Sequence, residues 1–100
     1  MASSRGYLDF VLEQLSCLED IRFRAMMGEF IIYYKNTVVG GVYDDRFLIK
    51  NTPSARAIVP SAALEIPYES AKAMILPDVD NRTVLEQLIP AVYGDLKSKK

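Results

Sequence analysis

Near the start of the chain Leu8, Val11, Leu12 and Leu15 recur at three- and four-residue intervals, which predicts a helix with one buried stripe running to about Leu18. Ser3 or Ser4 offers a hydroxyl cap for it. After Glu19-Asp20 the period falls to two. Ile21, Phe23 and Ala25 alternate with Arg22, Arg24 and Met26, so a strand with one apolar face and one arginine-bearing face is expected. Gly28 breaks that run as a turn or bulge does. The β-branched and aromatic runs at 30–34 and 38–43 predict two further strands. Lys35-Asn36-Thr37 joins them, and Asn36 tolerates the left-handed conformation of a tight hairpin. Gly40-Gly41 inside the third strand marks a bulge or a place where another backbone or a helix packs close. Asp44-Asp45 is the next hairpin turn, and residues 46–50 form the fourth strand.

The second half is more punctuated. Thr52-Pro53 is a helix start, with threonine as cap and proline in the first turn, where its missing N–H loses nothing. Pro60 keeps that helix short. Two short extended segments follow at 64–68 and 73–76, limited by Pro67 and Pro77. Asp78-Val79-Asp80-Asn81 caps a last helix whose stripe is Leu85, Leu88, Ile89, Val92 and Leu96, and Pro90 is expected to kink or divide it. Strands joined by hairpins run antiparallel. Amphipathic helices flanking a meander bury their stripes on one sheet face. The expected fold is an α+β two-layer sandwich with a mainly antiparallel sheet, in the order α-β-β-β-β-α-β-β-α, forming a single domain over residues 1–100.

Composition narrows the function classes. The chain has 100 residues, half of them hydrophobic, enough for one buried core. Twelve basic residues face thirteen acidic ones, so no overall field draws the molecule to nucleic acid or an anionic membrane, and direct DNA binding is not expected. The basic tail Lys97-Ser98-Lys99-Lys100 is read as keeping a terminus solvated. One cysteine permits no intrachain disulfide, and the polar start lacks a signal-like apolar core. A cytoplasmic location is expected. No apolar run approaches the roughly 20 residues of a membrane span. Histidine is absent, which removes the commonest general base and zinc ligand and makes a Ser-His-Asp triad impossible. Gly40-Gly41 fits no phosphate-loop spacing. A non-enzymatic protein without cofactor or metal is expected.

The residues resemble the N-terminal domain of the TfoX/Sxy competence-regulator family. The likeness lies in the arginine-bearing strand running into Met26-Met27-Gly28, and in the aromatic strand from Phe30 to Tyr33. It continues in Asp44-Asp45-Arg46-Phe47-Leu48-Ile49-Lys50 and in the helix segment Phe10-Val11-Leu12-Glu13-Gln14-Leu15. Met27 stands where that family usually has phenylalanine, and Glu29 where a second glycine is common. The segment 65–76 looks short, without the usual Gly-Lys turn. The resemblance implies a two-layer sandwich like that of type III secretion chaperones in a small cytoplasmic bacterial protein. It further implies the stand-alone form of a domain that, in the full regulators, precedes a helical second domain. Those regulators activate DNA-uptake genes, cooperating with the cyclic-AMP receptor protein. A protein partner, such as a transcription regulator, is therefore expected.

Two candidate surfaces follow from the residues. Arg22 and Arg24 share a strand face, with Arg46 and Lys50 as candidate neighbours. Guanidinium groups there suit an acidic partner or a small anion, but an ordinary cross-strand ladder with Glu29, Asp44 or Asp45 is the favoured reading, since acidic partners are as abundant in the meander. Met26-Met27-Gly28 reads either as a pliable recognition edge or as filler for a gap in the core. Asp44-Asp45 reads as a turn before a metal site, because no further oxygen ligands cluster with it. The second surface is Phe10 and Cys17, apolar residues off the stripe of the first helix, which read either as a place where a partner or a second copy would pack or as ordinary scattered surface apolars. Ten aromatic residues point the same way.

Overall fold

The computed structural model describes residues 4–67 and 71–98. The expected Ser3 cap, Tyr68 of the fifth predicted strand, and Lys99 and Lys100 of the basic tail lie outside them. The order is α1 (Arg5–Gln14), β1 (Ile21–Met26), β2 (Glu29–Tyr34), β3 (Thr37–Val42), β4 (Phe47–Ile49), α2 (Pro53–Ile58), β5 (Ala63–Glu65), β6 (Met74–Leu76) and α3 (Arg82–Ser98). This is the expected α+β order. The six strands form one antiparallel sheet in spatial order β1-β2-β3-β4-β6-β5.

Three hairpins build the meander, and all turn the same way. Met27 and Gly28 have φ of 52° and 86°, Lys35 and Asn36 of 51° and 65°, and Asp44 and Asp45 of 52° and 56°. Two left-handed residues in succession twist a two-residue loop to match the right-handed twist of its strands. Asn36, Asp44 and Asp45 suit that conformation, whereas Met27 and Lys35 adopt it because tight pairing on both sides demands it. Asp44-Asp45 is thus a turn, closed by Tyr43 and Arg46 exchanging backbone hydrogen bonds of 2.8 and 3.0 Å.

Gly40 and Gly41 fulfil both expected roles. Ile32 pairs with Gly40 and Tyr33 with Val38, so Val39 is the extra residue of a β-bulge. A Cβ on Gly40 would meet the Leu48 carbonyl oxygen at 2.3 Å. On Gly41 it would meet the Phe30 carbonyl oxygen at 2.7 Å and the Tyr43 ring at 2.8 Å.

The pairing register puts Phe30, Ile32, Val42, Phe47, Ile49 and Ile75 on one sheet face. Leu8, Val11 and Leu15 pack there from the first helical segment, Ala55 from α2, and Leu85, Leu88, Ile89 and Val92 from α3. The three helices therefore form one layer and the sheet the other. Ser4 caps α1 by accepting from the Tyr7 N–H at 3.1 Å, and its own N–H donates to Asp45 at 2.8 Å. Thr52 caps α2, and Asn81 accepts from the Val84 N–H at the start of α3. Asp95 of α3 accepts from both the N–H and the hydroxyl of Ser54, at 2.8 and 2.7 Å. Those hydrogen bonds lower the Asp95 pKa, so the tie holds above the ordinary carboxylate range and is lost as pH falls through the lowered value.

One expectation is corrected: the first helix ends at Gln14 rather than near Leu18, and residues 15–17 continue as turns. Of the two outcomes expected at Pro90, a kink or a division, division does not occur, and α3 runs unbroken through it. A proline inside a helix leaves one carbonyl without its N–H. Here the fully buried Leu85, Leu88, Ile89 and Val92 hold both halves to the sheet.

Candidate functional site

The sheet face away from the helices carries the candidate surface. Across β1 and β2, Arg22 lies opposite Tyr33, Arg24 opposite Ile31 and Met26 opposite Glu29. Arg22 and Arg24 are exposed, and among the described residues neither side chain makes a hydrogen bond or ion pair. The expected ladder with Glu29, Asp44 or Asp45 is therefore not formed by described residues. Glu29 instead accepts from the Asp44 N–H at 3.1 Å, and Asp45 accepts from Ser4. The reason is register: the residues opposite the arginines are Tyr33 and Ile31, and the acidic residue falls opposite Met26.

The methionines settle differently from a core filler. Met26 is 48 % exposed and Met27 97 % exposed, because Met27 sits at the tip of a two-residue turn where no other element reaches. With Glu29, Ile31, Tyr43 and Pro67 they line an apolar hollow of about 380 Å³. The Tyr43 ring lies back over Gly41, which is possible only because that position has no side chain.

Arg46 and Lys50 are not brought to the arginine pair. Arg46 follows β3 and precedes β4, three strands from β1 in the sheet, and strands lie about 4.8 Å apart. One small anion cannot span that width. Arg46 is committed to an ion pair with Glu65 of β5, and its Nε donates to the Tyr43 carbonyl at 3.3 Å. Lys50 is half-buried and lines a separate hollow with Val38, Tyr43, Thr52, Lys72 and Met74.

Nor do Phe10 and Cys17 form one apolar face of α1. Phe10 is 37 % exposed and its ring tilts against that of Tyr7, with centroids 6.0 Å apart. Cys17 lies beyond the helix end, and its thiol donates to the Glu86 carboxylate on α3 at 2.6 Å. That hydrogen bond raises the Cys17 pKa. The thiolate is the reactive form, so Cys17 is expected to alkylate slowly near neutral pH despite its exposure. Glu86→Gln should speed iodoacetamide labelling at pH 7.5, with the midpoint of the rate–pH curve moving down. An unchanged curve would show that the carboxylate does not hold the proton.

Phe23 escapes the sequence reading. It lies on the helix-side face of β1, yet is 36 % exposed, outside the buried core that the helices cover. The Arg5 guanidinium stands 5.1 Å from its ring centroid, and Phe30 meets it edge-on at 6.1 Å. Alternation placed Phe23 on the inner face, but it could not show that this position lies outside the buried core.

No group of three or more acidic or cysteine side chains is placed to hold a metal ion among the described residues, and no helix there is long and apolar enough to cross a membrane. No family model matches the chain. Over 72 residues it is 33 % identical to an uncharacterized 12.7 kDa protein encoded in the trpE 5′ region of Spirochaeta aurantia; the match covers 72 % of this chain and 63 % of that protein's length.

Proposed function

We propose that this protein is a non-enzymatic protein-interaction module. One observation carries the reading: residues 22–27 are all exposed, and they include two arginines without acidic partners among the described residues, together with Phe23, Met26 and Met27. Adjacent guanidinium and pliable apolar groups are suited to a protein surface, because each recovers in a complex what water supplies poorly in the free state. The resemblance to the N-terminal domain of the TfoX/Sxy regulators supplies the context we favour. In it the protein works in the cytoplasm and acts on DNA-uptake genes through a protein partner rather than by contacting DNA. The near balance of acidic and basic residues supports the second half of that statement, since neutralising phosphates is what drives DNA binding. The absence of histidine supports a role outside catalysis.

The test is affinity capture from the native cytoplasm with the wild-type chain and with Arg22→Glu/Arg24→Glu. A transcription regulator retained by the first and lost by the second is the expected result. Loss of the reading would follow if neither chain retains any protein above background. A second reading, a small anion-binding domain, rests on the same arginines being unpaired among the described residues. A thermal-shift screen separates the two: large stabilisation by a phosphorylated metabolite, abolished by Arg24→Ala, favours the anion.

A further inference from the structure

We infer that β1 is a docking edge for an extended peptide of alternating acidic and apolar residues, which joins the sheet as a seventh strand. This rests on the interaction-module reading and names its partner chemistry. The sheet has two edges. β5 is three residues long, whereas β1 is six and lies outermost beside β2 alone. Among the described residues no backbone group of β1 bonds to anything outside the β1–β2 ladder. The Met27-Gly28 turn is a two-residue loop, so its flanking pair Met26–Glu29 is hydrogen-bonded, and pairing alternates from there. Met26, Arg24 and Arg22 thus point their N–H and C=O groups inward to β2. Phe23 and Ala25 point theirs outward, to the open edge.

The side chains specify what would pair there. Residues of an added strand alternate between the two faces. Those on the arginine face meet Arg22 and Arg24, which call for aspartate or glutamate. Those on the other face meet Phe23 and Ala25, both exposed, Phe23 with only the Arg5 guanidinium and the edge of Phe30 against its ring, which call for apolar side chains. Main-chain hydrogen bonds then provide affinity and the alternation provides specificity. A second copy of this chain fits less well. An antiparallel β1–β1 pair sets one arginine row directly against the other on the same face, and like charges opposed across strands are destabilising.

The probe is a synthetic peptide alternating glutamate with valine, beside a control of the same composition with the two residue types in separate blocks. Amide exchange is followed by NMR on the intact protein. The Phe23 and Ala25 amides should exchange freely alone and become protected by the alternating peptide, with the control binding about tenfold more weakly or worse. Arg22→Glu/Arg24→Glu should weaken the alternating peptide by a similar factor and favour a lysine–valine analogue. Ala25→Pro removes an outward N–H and no ladder bond, so it should weaken binding while Ala25→Val does not. The exchange result stands even if the proline variant fails to fold. Peptide binding without protection of Phe23 and Ala25 would overturn strand addition and leave the interaction module intact. Protection that grows with protein concentration alone would assign the edge to a second copy and likewise overturn it. No binding of the alternating peptide at millimolar concentration would also refute it, with the module then judged by the capture experiment.

Discussion

Replacing Gly40 with alanine is expected to leave the domain largely unfolded at room temperature. Gly40 lies in the bulged part of β3, and an added Cβ would come within 2.3 Å of the Leu48 carbonyl oxygen and 2.9 Å of the Ile49 Cα. Both are backbone atoms of the adjacent central strand, so no rotamer change relieves the overlap. Relief requires β3 and β4 to separate, and β4 pairs in turn with β6. Overpacking a core by a methyl or so ordinarily costs about 1–3 kcal/mol. A contact this short against backbone should exceed that range and consume a large part of the roughly 5–15 kcal/mol that holds a domain of this size together. Gly94 is the control. It lies within α3 with nothing inside 4 Å of its missing Cβ, so Gly94→Ala should stabilise by about 0.5–1 kcal/mol through helix propensity alone. Urea denaturation followed by far-ultraviolet circular dichroism reads both changes. A Gly40→Ala variant with a wild-type midpoint would mean that the strands have slack the geometry denies them.

The second large effect is expected at Phe47. Its side chain is fully buried on β4, on the sheet face that receives α1, α2 and α3. It is also the largest side chain in the core that water does not reach. Phe47→Ala removes a ring from the point where the layers meet and should cost about 3–5 kcal/mol, transfer and cavity contributions together. Met27→Ala, at a position 97 % exposed, should stay within about 0.5 kcal/mol of wild type. The comparison also bears on function. If Met27 belongs to a recognition surface, its truncation should change partner binding while leaving the urea midpoint in place.

Hydrophobic period, with the turn, cap and proline residues that punctuate it, determined the order of the elements, the antiparallel meander and the buried stripes. Local geometry dictates period: a residue on the wrong face of a strand or helix exposes its apolar area wherever the element later packs. The caps at Ser4 and Thr52 and the turn at Asp44-Asp45 were legible for the same reason, since their chemistry acts within three or four residues. The double glycine announced a bulge or a close approach, because a strand tolerates two missing side chains only where space is wanting, and the structure has both.

The candidate site was legible only in its ingredients. That Arg22 and Arg24 share a face follows from alternation, but which residues oppose them is decided by hairpin register, which set Tyr33 and Ile31 there and Glu29 against Met26. Separating Arg46 and Lys50 from that pair required the order of strands in the sheet. The exposure of Phe23 required knowing how far the helical layer extends, and the pairing of Cys17 with Glu86 joins residues 69 apart in sequence. These are long-range relations, fixed when layers pack and strands choose neighbours. The chain determined which side chains are available on each face. The tertiary structure decided which of them, on the β1 edge, remain open to a partner.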